Sequence, residues 1–236
     1  MLSSNQLSQR IVLSCLTFTM TISLAANPII SQSYAAQMVE DVNLSQPEHT
    51  GLLAQGTVNY VEENSIDVMY DVEMVPQQTD MSCWAAAAAM ILSWRDQASY
   101  TPWQIANDIG HAYEFSYGYR IDDRSLFQAT GMVAESPQTY SVHAFANMLN
   151  EYGPLWVATH EGAGHVRVVT GISGDGTAEG TELFISDPWD RDADEWLPSN
   201  SGSEYTESYA TFVSKQAALA RRTQHIPNAL YVAHLR

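Results

Sequence analysis

Cys83 stands at the start of a predicted helix, the run CWAAAAAMILSW, which is rich in strong helix formers. The unpaired N–H groups of a helix N-terminus favour a thiolate over a thiol, so a cysteine placed there is more nucleophilic than one in mid-helix. Gln77 lies six residues upstream in the preceding loop, where a side-chain amide can stabilise an oxyanion, and Gln78 is the neighbouring alternative. These residues suit acyl transfer through a thiol, whereas the simpler interpretation of Cys83 is a small buried core residue.

A thiol nucleophile needs a general base, which must come from elsewhere in the chain and meet the cysteine in space. Of the seven histidines, His165 is the best placed, because it opens the predicted strand HVRVVTGI and a strand end is a rigid mount. His160, across the EGAG turn, is the second candidate. The next strand, ELFIS, ends at Asp187, which can therefore reach the His165 ring and hold its useful tautomer. Alternatively, Asp187 only forms a turn before Pro188.

The elements that position these residues change in character at Gly153. Before it, the pattern predicts a strand over 66–75, a helix from Cys83 capped by Ser82, and helices beginning at 101, 123 and 141. After it, the pattern predicts strands over 155–159, 166–172 and 182–186, a helix over 205–222 and a closing strand over 229–235. The predicted fold class is α+β, with a helical subdomain that carries the cysteine packed against a mainly antiparallel sheet that carries the histidine and the aspartate.

Residues 1–36 differ in composition from the rest of the chain. They contain Arg10 but no acidic residue, then an apolar stretch over 11–26 and small-residue cleavage sites. This order predicts a signal peptide, because the apolar stretch is short for a membrane span of ~20 residues. Residues 37–65 are polar and aperiodic, which indicates a linker or pro-region, and 66–236 form the predicted catalytic domain. We therefore expect a secreted or periplasmic protein without stable membrane association after cleavage.

The charge balance narrows the range of partners. The formal net charge is −17, and removing 1–36 leaves 9 basic and 27 acidic side chains, a net charge of −18. Such a chain repels nucleic acid and anionic membranes. After cleavage Cys83 is the one remaining cysteine, and a lone thiol in an exported protein is a candidate nucleophile. We expect a monomer that needs no cofactor.

The acidic segment DRDADEW imitates the start of a calcium loop through Asp190, Asp192 and Asp194. That loop type needs glycine at its sixth position and glutamate at its twelfth, where this chain has Glu195 and Ser201. A solvated acidic loop is therefore the favoured interpretation, and no metal site is predicted.

Three stretches together carry a family resemblance: VPQQTDMSCWAAAAAMILSW, GPLWVATHEGAGHVRVVTGISGDGT and ELFISDPWD. In this order they resemble the papain-like cysteine peptidases, and more narrowly the bacterial branch that includes secreted effector proteases. They resemble the bacteriocin-leader peptidases more distantly. The resemblance covers roughly residues 70–235.

The resemblance implies a role for each candidate residue. Cys83 is the nucleophile, His165 the general base, Asp187 the residue that orients the histidine, and Gln77 the oxyanion donor. Trp189 would shield the histidine and aspartate from water. The chain departs from papain itself at Asp187, where papain has asparagine.

The expected activity is hydrolysis of peptide or amide bonds through a Cys83 thioester, with a peptide or protein as substrate. Two alternatives stay open at this point. The same residues can support amidase or acyl-transfer chemistry, and a papain-like scaffold can serve as a catalytically silent binding module. Residues 37–65 can also act as an inhibitory pro-segment, a hypothesis that rests only on their position.

Overall fold

The computed structural model describes residues 65–193, 195, 197 and 199–236, together with a two-residue strand at Val12–Leu13. Apart from that strand and Ser65, the predicted signal peptide and linker lie outside the described residues. The segment boundaries drawn at 36 and 65 stay predictions. In the part of the chain that is described, no helix combines the length and apolar character needed to cross a membrane.

Five of the described helices lie before residue 153, and the sixth follows the strand that ends at residue 208. In chain order they are α1 Cys83–Asp96, α2 Pro102–Asp108, α3 Glu114–Tyr117, α4 Ser125–Thr130, α5 Val142–Tyr152 and α6 Tyr209–Thr223. Thr101 and Ser141 cap α2 and α5 with their side chains, as their sequence positions predict. Each hydroxyl oxygen accepts a backbone N–H of the first turn.

The strands form a small pair and one large antiparallel sheet. They are β1 Val12–Leu13, β2 Ile66–Met69, β3 Tyr119–Arg120, β4 Val133–Ala134, β5 Leu155–His160, β6 Gly164–Gly174, β7 Thr181–Asp187, β8 Ser203–Ser208 and β9 Val232–His234. β1 pairs with β3, and the large sheet has the order β4-β9-β5-β6-β7-β8, with β2 paired to β6. The α+β prediction, with the cysteine on a helix and the histidine and aspartate on an antiparallel sheet, is confirmed.

Helix α1 lies in the centre of one core, where its residues 83–92 are all buried. Five consecutive alanines, 85–89, have no exposed surface, and their small side chains allow neighbouring elements to approach closely. Trp84 stacks on Tyr119 with ring centroids 4.5 Å apart, and its carbonyl accepts the indole N–H of Trp156 at 3.2 Å. The prediction that this helix is buried on nearly all sides is confirmed.

Some predicted elements differ from those observed. The strand predicted over 66–75 ends at Met69, and the residues after it follow an irregular path toward the site. The first residues of the helix predicted over 205–222 belong instead to β8, because they pair with β7. The short helix α3 was not predicted.

Candidate active site

Cys83 is the first residue of α1 and is completely buried. The loop before it is folded by Ser82, whose hydroxyl oxygen accepts the backbone N–H groups of Gln78 and Thr79 at 3.0 and 2.9 Å. Ser82 therefore does not cap α1 with its side chain, contrary to the prediction, because its oxygen is committed to the preceding loop. The result is a tight turn that presents the cysteine at the helix start.

His165 lies near the start of β6 and joins Cys83 to Asp187. Its Nε2 is 2.6 Å from Oδ1 of Asp187, and its ring also forms a hydrogen bond with the Cys83 side chain. Because Nε2 faces the carboxylate, Nδ1 is the nitrogen that faces the thiol. Burial alone would lower the pKa of His165, but the Asp187 carboxylate and the hydrogen-bonded Cys83 raise it to about 10. The geometry thus favours a protonated imidazole.

Asp187 ends β7, and its side chain is only 6% exposed. Its Oδ1 also accepts the backbone N–H of Trp189 at 2.9 Å, and its Oδ2 accepts the hydroxyl of Tyr205 at 3.2 Å. Burial would raise the pKa of Asp187, but the charge and hydrogen bond of His165, the Trp189 N–H and the charge of Arg167 lower it. The carboxylate is therefore ionised and held at both oxygens.

Gln77 is 2% exposed and sits in the turn that leads to Cys83. Its side-chain Nε2 donates to the carbonyl oxygen of Thr79 at 2.8 Å. An amide nitrogen carries two hydrogens, and this bond uses one of them while fixing the plane of the group. Thr79 is in turn anchored by its hydroxyl, which donates to the carbonyl of Phe115 at 2.6 Å.

The loops of Gln77 and Asp187 are joined to each other. The backbone N–H of Gln77 donates to the carbonyl of Pro188 at 3.0 Å. Asn200 bridges the same two loops, because its Nδ2 donates to the carbonyls of Gln77 and Pro188 at 3.2 and 2.8 Å. Its Oδ1 accepts the backbone N–H of Asp190 at 2.7 Å. The two halves of the candidate site are thus held in register by backbone contacts as well as by side chains.

The family profile described as papain-like cysteine protease AvrRpt2 matches residues 62–210, well over half of the chain and a range that includes all four candidate residues. The chain belongs to this family of papain-like cysteine proteases. It is therefore an enzyme, a cysteine-dependent hydrolase with the papain-like fold.

Among solved structures, the chain resembles the Pseudomonas avirulence protein AvrPphB, with a TM-score of 0.27 and 7% identity. That match covers 64% of this chain and 88% of the other. A TM-score this low does not support the family assignment. The assignment of the chain to the AvrRpt2 family of proteases rests on the family profile and the described elements. No curated protein matches the chain.

The alternative candidates from the sequence lie elsewhere in this AvrRpt2-family protease. Gln78 is exposed, and its Oε1 accepts the backbone N–H of Trp103 in α2 at 3.0 Å. In the β5–β6 pairing Thr159 lies opposite His165, so the adjacent His160 projects from the other face of the sheet. Burial and the nearby Arg222 lower the pKa of His160. Neither residue is among the contacts of Asp187.

Sequence reasoning missed the residues behind Asp187, namely Tyr205 and Arg167. A signal for Arg167 was present, since it is the one charged residue in the otherwise apolar strand HVRVVTGI and lies two positions after His165. Tyr205 gives no such signal, because its position falls within the helix predicted over 205–222. Among the described residues, no group of three or more His, Cys, Asp or Glu side chains is arranged to hold a metal ion. Asp194, part of the apparent calcium motif, lies outside the described residues.

Proposed function

We propose that this protease cleaves peptide bonds with Cys83 as nucleophile, His165 as general base and Asp187 as the residue that orients the histidine. The observation that carries the proposal is the continuous series of contacts from the Cys83 thiol through the His165 ring to the Asp187 carboxylate. The fixed Gln77 amide adds a donor on the turn next to the thiol. Each group has the chemistry that its role requires.

In the proposed reaction, His165 Nδ1 takes the proton of the Cys83 thiol, and the thiolate attacks the carbonyl carbon of the scissile bond. The carbonyl π electrons move to oxygen, where Gln77 and the Cys83 backbone N–H donate hydrogen bonds to the oxyanion. When the C=O re-forms, the C–N bond breaks and His165 gives its proton to the leaving amine. Water, deprotonated by His165, then attacks the thioester and releases the acid and the thiol.

Asp187 has an electrostatic role in both steps. Its lone pairs accept the Nε2–H of His165, so the ring keeps Nδ1 directed toward the thiol. Its charge also stabilises the imidazolium that forms when the thiol loses its proton. The low pKa of Asp187, which follows from the donors and positive charges around it, means that the carboxylate itself does not take up the proton.

The substrate class that we propose is a peptide or protein, processed by a monomer outside the cytoplasm. The location rests on the composition of residues 1–36, and a regulatory role for 37–65 rests only on their position. Acyl transfer to an amine is the second candidate reaction, because the thioester is common to both outcomes.

The test compares the chain from Gln37 onward with its Cys83→Ala variant on a peptide library, with products identified by mass spectrometry. We expect Cys83→Ala to lose at least about a thousandfold in cleavage rate while it keeps its fold. Ser93→Ala, which removes a side-chain oxygen from the same helix, is the control and should stay within about twofold of the wild type.

Two results would change the proposal. Cleavage by Cys83→Ala at a rate near that of the wild type would remove the cysteine from the mechanism. Products that carry an added amine, such as glycinamide, in preference to water would replace hydrolysis with acyl transfer.

A further inference from the structure

Tyr205 joins the candidate active site to a charged interior. In the β7–β8 pairing it lies opposite Ile185, on the same face of the sheet as Asp187. Its hydroxyl donates to Oδ2 of Asp187 at 3.2 Å and accepts a hydrogen bond from Nη1 of Arg167 at 2.7 Å. The guanidinium of Arg191 lies 3.9 Å from the centre of its ring. Both the hydroxyl and the ring are therefore held in place.

Arg167 has no exposed side-chain surface, although it carries a charge. A buried cation is tolerated only when it is paired and hydrogen-bonded. Its Nη2 is 3.0 Å from Glu207 and donates to the hydroxyl of Thr159 at 3.2 Å, while its Nη1 is 3.3 Å from Glu161. These contacts fix the guanidinium from several directions.

Lys215, the only lysine of the chain, completes this group from α6. It is 2.8 Å from Glu161 and also binds Glu207. We refer to Arg167, Lys215, Glu161 and Glu207 as the buried ionic cluster, in which Arg167 and Glu207 are buried, Lys215 is partly buried and Glu161 lies at the exposed edge. Two cations and two anions balance, so the cluster can hold Tyr205 without adding net charge beside Asp187.

Tyr205 is suited to act as a donor toward Asp187. Burial and the Asp187 charge raise its pKa, and the opposing charges of Arg167 and Arg191 do not reverse this, so the hydroxyl keeps its proton. Oδ1 of Asp187 already accepts His165 and the Trp189 N–H. A donor on Oδ2 therefore prevents the carboxylate from rotating away from the imidazole.

We propose that Tyr205 is a positioning residue of this protease: its hydroxyl, held by Arg167, fixes the Asp187 carboxylate and through it the His165 ring. The inference rests on the proposed roles of Cys83, His165 and Asp187. It adds to the candidate residues a side chain that acts on His165 through Asp187 without touching the reacting atoms. The buried ionic cluster then serves as the fixed base from which Arg167 holds Tyr205.

The test is a double-mutant cycle read out by the rate at which iodoacetamide alkylates Cys83 at pH 6, which requires no substrate. Tyr205→Phe keeps the ring and its contact with Arg191 but loses the hydroxyl. We expect it to slow alkylation by about threefold to thirtyfold in the wild-type background. In an Asp187→Ala background the same change should alter the rate by less than about 1.5-fold, because Tyr205 acts through Asp187.

Tyr209→Phe is the matched control. Its hydroxyl is also part-buried and donates to the carbonyl of Tyr140 at 2.9 Å, but it has no contact with Asp187. It should lower the thermal midpoint by about as much as Tyr205→Phe and leave the alkylation rate within about 1.5-fold of the wild type. A purely structural role for Tyr205 would make the two variants behave alike.

The outcomes separate this inference from the proposed function. The proposed function fails if alkylation of the wild type at pH 6 is slow, or if it is fast and His165→Ala leaves it unchanged. If alkylation of the wild type is fast and His165→Ala abolishes it, a Tyr205→Phe rate equal to that of the wild type overturns the inference. A loss of equal size in both backgrounds would overturn it as well.

Discussion

The surroundings of Cys83 and those of His165 are built from different interactions. Cys83 begins a helix in which Trp84 is followed by an unbroken run of fully buried alanines, 85–89, packed among aromatic and aliphatic side chains. His165 lies on a sheet face shared with Asp187 and Tyr205, backed by a buried cluster of opposite charges. The candidate nucleophile is thus held by shape, and the candidate base by directed hydrogen bonds.

The surroundings of Cys83 and those of His165 should therefore tolerate different perturbations. An apolar core responds to changes in volume, whereas a buried ionic cluster responds to the loss of any one charge. A proton-transferring ring needs its orientation specified, which hydrogen bonds do better than packing. A thiol at a helix start needs only its backbone placed, which close packing of small residues achieves.

The largest effect on stability is expected from Arg167→Met. It leaves Glu207 buried with a single cationic partner, so we expect a loss of about 3–5 kcal/mol in the free energy of unfolding, measured by urea denaturation. Arg221→Met, an exposed change near the end of α6, should stay within about 0.5 kcal/mol of the wild type. A loss below about 1 kcal/mol for Arg167→Met would mean that the cluster does not hold the sheet side as described.

A smaller loss is expected from overpacking the helix side. Ala88→Leu inserts three heavy atoms where no surface is exposed, and should cost about 1–3 kcal/mol in the same measurement. Ala98→Leu, at an exposed position just beyond α1, is the control and should change little. If both variants were equally stable, the close packing around the alanine run would not be a constraint.

A third expected effect concerns the pH dependence of the cleavage rate. Asp187→Asn keeps an acceptor for His165 but removes the carboxylate charge that raises the pKa of that ring. The basic limb of the rate profile, where His165 loses its proton, should therefore move to lower pH by about one to three units. Steady-state rates of peptide cleavage from pH 5 to well above pH 10, the folded pKa of His165, measure this directly. An unmoved basic limb would show that the Asp187 charge does not control the titration of His165.

The raised pKa of His165 also makes the stability of the fold depend on pH. A histidine whose folded pKa lies above its ordinary value of about 6.5 contributes its full stabilisation at pH values below about 6.5. This stabilisation is lost as the pH rises toward about 10, the folded pKa of His165. Asp187→Asn should flatten the decline in unfolding free energy over that range.

The features that the sequence alone predicts are those that depend on neighbouring residues or on the order of the elements. The cap at Thr101 and the end of α5 near Gly153 depend on neighbouring residues, so local signals predicted them. The approach of Asp187 to His165 followed from the adjacency of two strand ends, which requires only the order of the elements. These features cover the main architecture and the central contact of the candidate site.

The rest depends on contacts between residues distant in sequence. β8 is a polar segment whose conformation comes from its pairing with β7, so its residues carried too little local preference to exclude a helix. For that reason the sequence did not identify Tyr205 as a candidate site residue. Ser82 had the composition of an N-cap, but its hydroxyl binds the loop that positions Gln77, a competition that no local pattern reveals.

In the proposed mechanism Cys83 and His165 form an ion pair ready for nucleophilic attack. The rate of Cys83 alkylation by iodoacetamide from pH 4 to pH 9, compared between the wild type and His165→Ala, reports on this pair. We expect fast labelling of the wild type that persists well below pH 7 and is lost in the variant. Labelling that rises only near pH 8.5 in both proteins, as for an ordinary thiol, would contradict it.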